Sequence, residues 1–417
     1  MTAGRQRREA ARFGDHIIFV YENRTDRTAF AVPFINDGLT RGERCVYVTA
    51  DSSAAEVTRE LSAAGARIIR RNRPGAFIVQ PAREFFSLSP FDARRAAERL
   101  LQAETEAASA GFTGLRLVGD WAWSLDRSVQ DGELREFESL VERIIASGRL
   151  TVACMYRRDG ADPATLERLV RLHATVIASD EVFVSLSDVF RSLPPADLRA
   201  LARSARAQAV RKGDCFFRQG EPAKRVYLLT SGMVKLVRTA PSGDGVILRV
   251  VAPVQHFGDG RIGLEDAVRF TSAEALVDSR ALVWDDSVVL DVLQKHPAVA
   301  VNVIRWLQRL VEEERSRFED LISPDVTHRL ARLLLRLGQS IGHKTRRGIV
   351  IDVALSRRDL AELVITSPYT VSRILAEWRR LDLVDALRTR IVIRDRERLA
   401  AIADEPAAGS PVRSRTS

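Results

Sequence analysis

Only three cysteines, Cys45, Cys154 and Cys215, occur in 417 residues. They stand far apart, with none of the close spacings of a zinc motif and too few thiolates for an iron–sulfur cluster. No disulfide framework can be built from them, so a reducing compartment, the cytoplasm, is expected. No apolar run reaches membrane-spanning length, and the opening MTAGRQRREAARFG is basic without the apolar stretch of a secretory signal. The chain shows no internal repeat and no long low-complexity run. It also lacks G-x-x-x-x-G-K-[ST]. After the first apolar run, YENRTDRTAF offers no glycine for close backbone approach to a phosphate and no lysine to meet it, which argues against ATP hydrolysis.

What is present is a globular composition, 46% hydrophobic and 29% charged, at a length that suits two to four domains. The formal net charge is +9, carried more by arginine than by lysine, which favours a polyanionic partner. From about residue 15 to 178, short apolar runs alternate with helical stretches. HIIFVY (16–21), RCVYVTA (44–50), AFIVQ (76–80), LRLVGD (115–120) and LTVACMY (150–156) read as buried strands. Residues 54–65, 91–111 and 132–148 read as helices. Such alternation predicts a mostly parallel sheet covered on both faces.

Near 179 the pattern changes. Short helices over 188–203 give way to closely spaced short strands with turn signals, the pattern of an antiparallel barrel or jelly roll. A long helix then starts at 297. Its apolar residues Val303, Trp306, Leu307, Leu310, Val311, Phe318 and Leu321 follow a helical stripe, for which a partner helix or the barrel itself is the cover. Beyond 324 come a helical module, a strand over 348–355 and a closing hairpin over 383–395.

In that module, Ser356 and Asp359 form the S-x-x-D start of a helix bearing Leu360, Leu363 and Val364. A turn follows at Ile365–Thr366. Ser367 caps a second helix with Pro368 at its first position. Val371, Ile374, Leu375 and Trp378 fall on one side, whereas Tyr369, Arg373 and Arg380 fall on the other. An ordinary surface helix and a helix built to dock in a major groove both fit this pattern, and the helix start that attracts phosphate favours the second.

Residues 188 to about 402 resemble the CRP/FNR family of bacterial regulators. The likeness rests on RKGDCFFRQGEPAKRVYLLTSGMVKL, on HFGDG with RFTSAEAL, on the long helix, on VTHRLARLLLRLG and on LSRRDLAELVITSPYTVSR, with LDLVDALRTRIVIRD as the wing. The resemblance implies a homodimer held by the long helix, with recognition helices about 34 Å apart over a two-fold symmetric operator in double-stranded DNA. It also implies RNA polymerase as a partner. By position, base-reading places fall on Pro368, Tyr369 and Arg373, with Arg373 expected on a guanine. Backbone-contact places fall on Ser356, Arg357, Ser367 and Thr370, and the wing's Arg388 and Arg390 are expected on phosphates. Pro368 and Tyr369 depart from the family's usual Arg-Glu pair, so a different operator is expected.

In members that bind cyclic nucleotides, a Gly-Glu pair and an Arg-Ser/Thr pair surround the ligand. Here the matching residues are Gly258, Asp259, Arg269 and Phe270, followed by Thr271. Asp259 reaches less far than Glu, Phe270 brings no hydroxyl, and Arg261 replaces a small residue. Two readings stand: a barrel that takes a cyclic nucleotide, and a barrel that relays a signal or takes another ligand. No cofactor and no metal are expected. His256, beside this stretch, reads as a packed or surface imidazole rather than a haem ligand.

Residues 15–178 resemble the MEDS sensory domain, through HIIFVYEN, AFAVPFINDGLTRGERCVYVTAD, GDWAWSL and CMYRRD with LHATVI. This implies a RecA-like α/β fold that receives a small-molecule or protein signal. Ligands of such sheets settle at the strands' carboxyl ends, which directs attention to Tyr21, Glu22, Asp51, Asp120, Trp121, Trp123, Tyr156 and Arg157, with His16 as a further candidate. The expected fold class is multidomain α/β plus α+β. Its parts are the sensory domain (13–178), the barrel (188–295), the dimerisation helix (296–322), the winged helix-turn-helix (324–402) and a disordered tail (403–417). A nucleotide-binding sensor is the alternative, and no enzyme activity is expected.

Overall fold

The computed structural model describes residues 15–50, 52–68, 73–86, 91–121, 131–145, 149–160, 165–166, 169–170, 173, 175–240, 245–258, 263–322, 325–340, 343–345, 348–351, 355–386 and 390–404. The chain divides into two units, Met1–Val182 and Phe183–Ser417.

Among its described residues the first unit has six strands: β1 (His16–Tyr21), β2 (Arg44–Thr49), β3 (Phe77–Pro81), β4 (Leu115–Asp120), β5 (Leu150–Arg157) and β6 (Thr175–Ala178). Their order is β3-β2-β4-β5-β1-β6, and every pairing is parallel. Strands β1 and β4 are buried along their whole length, as strands covered on both faces must be. Its helices include α1 (Arg24–Thr40), α2 (Ala54–Ala63), α3 (Ala82–Phe85), α4 (Ala93–Ser109) and α5 (Asp131–Ile145). Ser53 and Glu56 satisfy each other's backbone at the start of α2. On α4 the buried face is mostly alanine, Ala93, Ala96, Ala97, Ala103 and Ala107 around Leu100, and small side chains let it lie close on the sheet. Helix α1 and strand β6 lie outside the sequence expectations. The buried residues Phe30, Ala31, Val32, Phe34 and Ile35 of α1 crowd together around Pro33, so no single apolar stripe marks the helix.

Among its described residues the second unit contains α6 (Pro195–Ser204) and eight barrel strands: β7 (Arg206–Val210), β8 (Cys215–Phe217), β9 (Arg225–Ser231), β10 (Val234–Thr239), β11 (Gly245–Val251), β12 (His256–Phe257), β13 (Ser272–Ala275) and β14 (Ser279–Asp285). They form two antiparallel sheets, β11-β10-β13-β8 and β12-β9-β14-β7. Their inner faces meet in a core that includes Phe216, Phe217, Tyr227, Leu229, Val234 and Phe257. Gly232 makes the β9–β10 turn at φ +86°, where a Cβ would collide with the backbone of Asp278 and Ser279. Only glycine serves there.

Helices α7 (Asp286–Lys295) and α8 (Pro297–Ile322) follow. On α8, Val301, Ile304, Leu307, Val311 and Phe318 are exposed within the chain, whereas Asn302 turns inward to Val189 and Ser192. The remainder is α9 (Val326–Ser340), β15 (His343–Thr345), β16 (Gly348–Ile351), α10 (Arg357–Val364), α11 (Pro368–Arg380), β17 (Val384–Ala386), β18 (Ile391–Ile393) and α12 (Arg396–Asp404). The sheet order is β15-β16-β18-β17. Barrel residues Ile247 and Leu276 share one hydrophobic core with α9, α10 and α11. Residues 403 and 404 are not part of a tail, and the rest of the expected tail lies outside the described residues. Helix α12 runs to Asp404, Ala403 is buried, and the Ala403 carbonyl accepts from Arg332 Nε at 2.8 Å.

Candidate DNA interface and signal sites

The helix pair α10–α11 is assembled by local rules. Ser356 and Asp359 form a reciprocal capping box at the start of α10, and Ser367 caps α11 through the Thr370 amide, with Pro368 at the first helical position. Val371, Ile374, Leu375 and Trp378 are buried and fix the roll of α11. That roll leaves Tyr369 79% exposed, with Ser367, Arg373, Arg379 and Arg380 also outward. Arg379 and Arg380 sit in the last turn, where cations suit the helix dipole. Between the helices Ile365 adopts a left-handed φ of 51°. Arg329 of α9 holds this turn by donating Nε to the Val364 carbonyl at 3.0 Å and Nη2 to the Ile365 carbonyl at 3.3 Å. Sequence reasoning missed Arg329, since nothing in its neighbours distinguishes it from other helical arginines.

The remaining DNA candidates differ in what they are doing. Ser356 Oγ donates to Asp359 Oδ2 at 2.6 Å, so its hydroxyl proton serves the cap. Ser367 Oγ and Thr370 Oγ1 lie 2.9 Å apart. Arg357 is half-buried and donates to the Ala386 carbonyl of the wing at 2.9 Å. Arg390 borders the wing strand β18, and Arg388 lies outside the described residues.

In the barrel, Arg269 is buried. Its Nη2 donates to the Arg225 carbonyl at 2.6 Å, and its guanidinium lies over the rings of Phe217 and Tyr227. Gly258, at φ +115°, makes room for it: a Cβ there would come within 2.9 Å of Arg269 Nη1. Thr271 is buried as well. Phe270 corrects the sequence reading of a ring beside the ligand space. It is 46% exposed, and Arg238 stacks on it at 3.5 Å. Arg269 and Phe270 both precede β13, in the bend that leads into it, where Val268 and Phe270 turn outward on either side of the inward Arg269. Asp259 and Arg261 lie outside the described residues. The cavity lined by Arg225, His256, Gly258, Arg269 and Trp306 measures about 30 Å³, against the ~300–1,000 Å³ of ordinary small-molecule sites. His256 is a packed imidazole, its Nε2 2.6 Å from Ser187 Oγ.

At the carboxyl ends of the first unit's strands, Tyr21 Oη donates to Asp120 Oδ1 at 3.0 Å and Arg27 Nη1 donates to Asp120 Oδ2 at 2.9 Å. Arg27 Nη2 also grips both oxygens of Glu60 at 3.1 Å. Burial, then the Asp120 charge, push the Tyr21 hydroxyl well above its ordinary range. Glu22 is not part of this cluster and accepts from Arg158 at 2.8 Å. Trp121, expected on the rim, is instead 1% exposed and packed against Phe86 and Phe137, and Trp123 lies outside the described residues. His16 is at the other end of β1 from Tyr21, where it faces Glu138. It is a candidate of a different site.

Together these features define a winged helix-turn-helix regulator of DNA built onto a cyclic-nucleotide-binding-like jelly roll. The family models matching the chain are, in order, MEDS, the methanogen/methylotroph DcmR sensory domain, over residues 15–174, the cyclic nucleotide-binding domain over 207–296 and the Crp-like helix-turn-helix domain over 328–402. The transcriptional regulator LdrP of Thermus thermophilus is 30% identical over 198 residues, which make up 47% of this chain and 94% of that protein. The CRP-like cAMP-activated global transcriptional regulator of Mycobacterium tuberculosis is 28% identical over 221 residues, 53% of this chain and 98% of that protein. Among solved structures, FixK2 from Bradyrhizobium japonicum aligns at 22% identity with a TM-score of 0.42, covering 49% of this chain and 99% of its own. The chain belongs to the CRP/FNR family of transcription regulators, with a MEDS domain ahead of the barrel. Among the described residues, no helix is long and apolar enough to cross a membrane.

Proposed function

We propose that this regulator binds a two-fold symmetric operator as a homodimer, with Arg373 on a guanine edge and Tyr369 against a neighbouring base. Ser367, Thr370 and the start of α11 would meet phosphate. The observation that carries this reading is the roll of α11, which buries Val371, Ile374, Leu375 and Trp378 and leaves Tyr369 and Arg373 in solvent. The apolar residues exposed on α8 support the homodimer. RNA polymerase is the further protein partner of this reading.

The first unit is read as the receiver of a small-molecule or protein signal, on a RecA-like sheet. The parallel strands and the Tyr21–Asp120–Arg27–Glu60 cluster at their carboxyl ends support it. The barrel is read as a relay rather than a cyclic-nucleotide receptor, because Arg269 is already engaged and the cavity is small. Selection of bound fragments from genomic DNA, followed by footprinting, tests the DNA reading. Two protected half-sites about one helical turn apart are expected, and protection without sequence preference would refute it. Calorimetry with cAMP and cGMP tests the relay, which micromolar binding lost in Arg269→Ala would overturn.

A further inference from the structure

We propose that the first unit holds a divalent transition-metal ion of the zinc class on His16, Glu138, Cys154 and His173. The four residues come from the first position of β1, the buried face of α5, the middle of β5 and the segment leading to β6. All four side chains are buried, none more than 3% exposed. Their ligand atoms lie within 4.8 Å of one another. Glu138 Oε2 is 3.1 Å from His16 Nε2 and 3.3 Å from His173 Nε2. Cys154 Sγ is 3.6 Å from His16 Nε2 and 3.7 Å from Glu138 Oε2. A tetrahedral zinc ion, with nitrogen and oxygen ligands at ~2.0–2.2 Å and sulfur at ~2.3 Å, places neighbouring ligand atoms roughly 3.3–3.7 Å apart. The four measured separations lie on or just inside the edges of such a tetrahedron.

Hydrogen bonding supplies an independent reason. His173 Nδ1 lies 2.8 Å from the Leu169 carbonyl, which can only accept, so the ring proton sits on Nδ1. The other nitrogen, Nε2, is buried 3.3 Å from Glu138 Oε2 and outside hydrogen-bond geometry, in position to ligate an ion as a neutral imidazole. With His173 neutral, Nε2 and the carboxylate are two acceptors face to face, an arrangement that a cation between them satisfies. Charge agrees, since the Glu138 carboxylate and a Cys154 thiolate together neutralise one divalent ion, with two neutral imidazoles completing the set. Binding would displace the Cys154 thiol proton, so affinity rises with pH. Around the set, the Leu169 carbonyl orients His173, and Tyr156 Oη donates to Glu138 Oε1 at 2.6 Å, the outer support that metal ligands require. Four protein ligands leave no open position, so the ion braces the fold and performs no catalysis. It ties β1, α5 and β5 to the chain segment that enters β6.

This inference stands whether or not the first unit senses a signal. Its test uses the purified full-length chain, stripped with a chelator and refilled with zinc or cobalt. One metal equivalent per chain is expected, with a thiolate-to-cobalt charge-transfer band and a melting temperature that rises on refilling. Cys154→Ser should lose the band and the metal-dependent melting shift, Cys215→Ser should keep both, and Tyr156→Phe should weaken cobalt binding about 10–100-fold. Should a ligand variant fail to fold, the wild-type cobalt spectrum decides alone. A wild-type chain that takes up neither ion, or a band that survives Cys154→Ser, would overturn the assignment and leave an imidazolium–carboxylate cluster in its place.

Discussion

Lys235 Nζ lies 2.8 Å from Asp359 Oδ1, joining barrel strand β10 to the first helix of the DNA-reading pair. The same carboxylate serves the α10 capping box through its other oxygen, and Glu274 adds a second contact to Lys235 at 3.3 Å. One acidic side chain therefore both starts the reading module and ties it to the barrel.

Lys235→Met removes the cation from a largely buried carboxylate, and a loss of about 1–3 kcal/mol in chemical denaturation is expected. Burial acts to raise the Asp359 carboxyl, but the hydrogen bonds from Lys235 and Ser356 outweigh it and hold the group below its ordinary range. A depressed folded-state value contributes stability above the ordinary carboxylate range, and that contribution is lost as pH falls through the folded value. The acid sensitivity of this unit should therefore shrink in Lys235→Met, as pH-dependent denaturation would record.

His256 gives a second pH effect of its own window. Burial lowers it to about 4 from the ordinary 6.5, partly offset by a hydrogen bond with the Tyr227 backbone. The folded chain binds fewer protons than the unfolded chain between these values, so stability falls as pH drops from about 6.5 to 4, by about 3 kcal/mol in all. In His256→Gln the slope across that interval should flatten.

On α8, Ile304, Val311 and Phe318 recur every seven residues and are exposed within the chain, the spacing of a helix–helix seam. Val311→Glu is expected to convert the homodimer to a monomer in analytical ultracentrifugation without loss of helix content. An unchanged dimer would place the contact elsewhere.

Ile365 pays for its left-handed backbone, at a cost of ~1–2 kcal/mol for a residue with a Cβ. Asparagine tolerates that conformation, and the Ile365 side chain is half exposed. Ile365→Asn should raise stability by about 0.5–1 kcal/mol in thermal denaturation, whereas a fall would mean that the isoleucine side chain contributes more than its exposure suggests.

Much of this architecture is legible in the amino-acid order. HIIFVY and LRLVGD match β1 and β4 residue for residue because strands buried on both faces need unbroken apolar runs. The α10–α11 pair declares itself through Ser356, Asp359, Ser367 and Pro368, whose roles are local. What stays hidden is assembled over distance. Arg27 of α1 bridges Asp120 of β4 and Glu60 of α2, and Cys154 and His173, 19 positions apart in sequence, come within 4.8 Å only because β5 and the approach to β6 flank β1. One signal was present in Glu138, a charged residue on the buried stripe of Leu134, Phe137, Val141 and Ile145. The places of Phe270 and Trp121 have simpler reasons: the bend before β13 turns Phe270 out under Arg238, and an aromatic cluster from three segments buries Trp121.

The outward face of α11 is the centre of the account, and a competition binding assay on operator half-sites selected from genomic DNA tests it most directly. Arg373→Ala should cost about 1–3 kcal/mol of discrimination at one base pair per half-site while the fold is retained. If the variant keeps the wild-type preference at every position, Arg373 does not read the operator, and the docking of α11 in the major groove is contradicted.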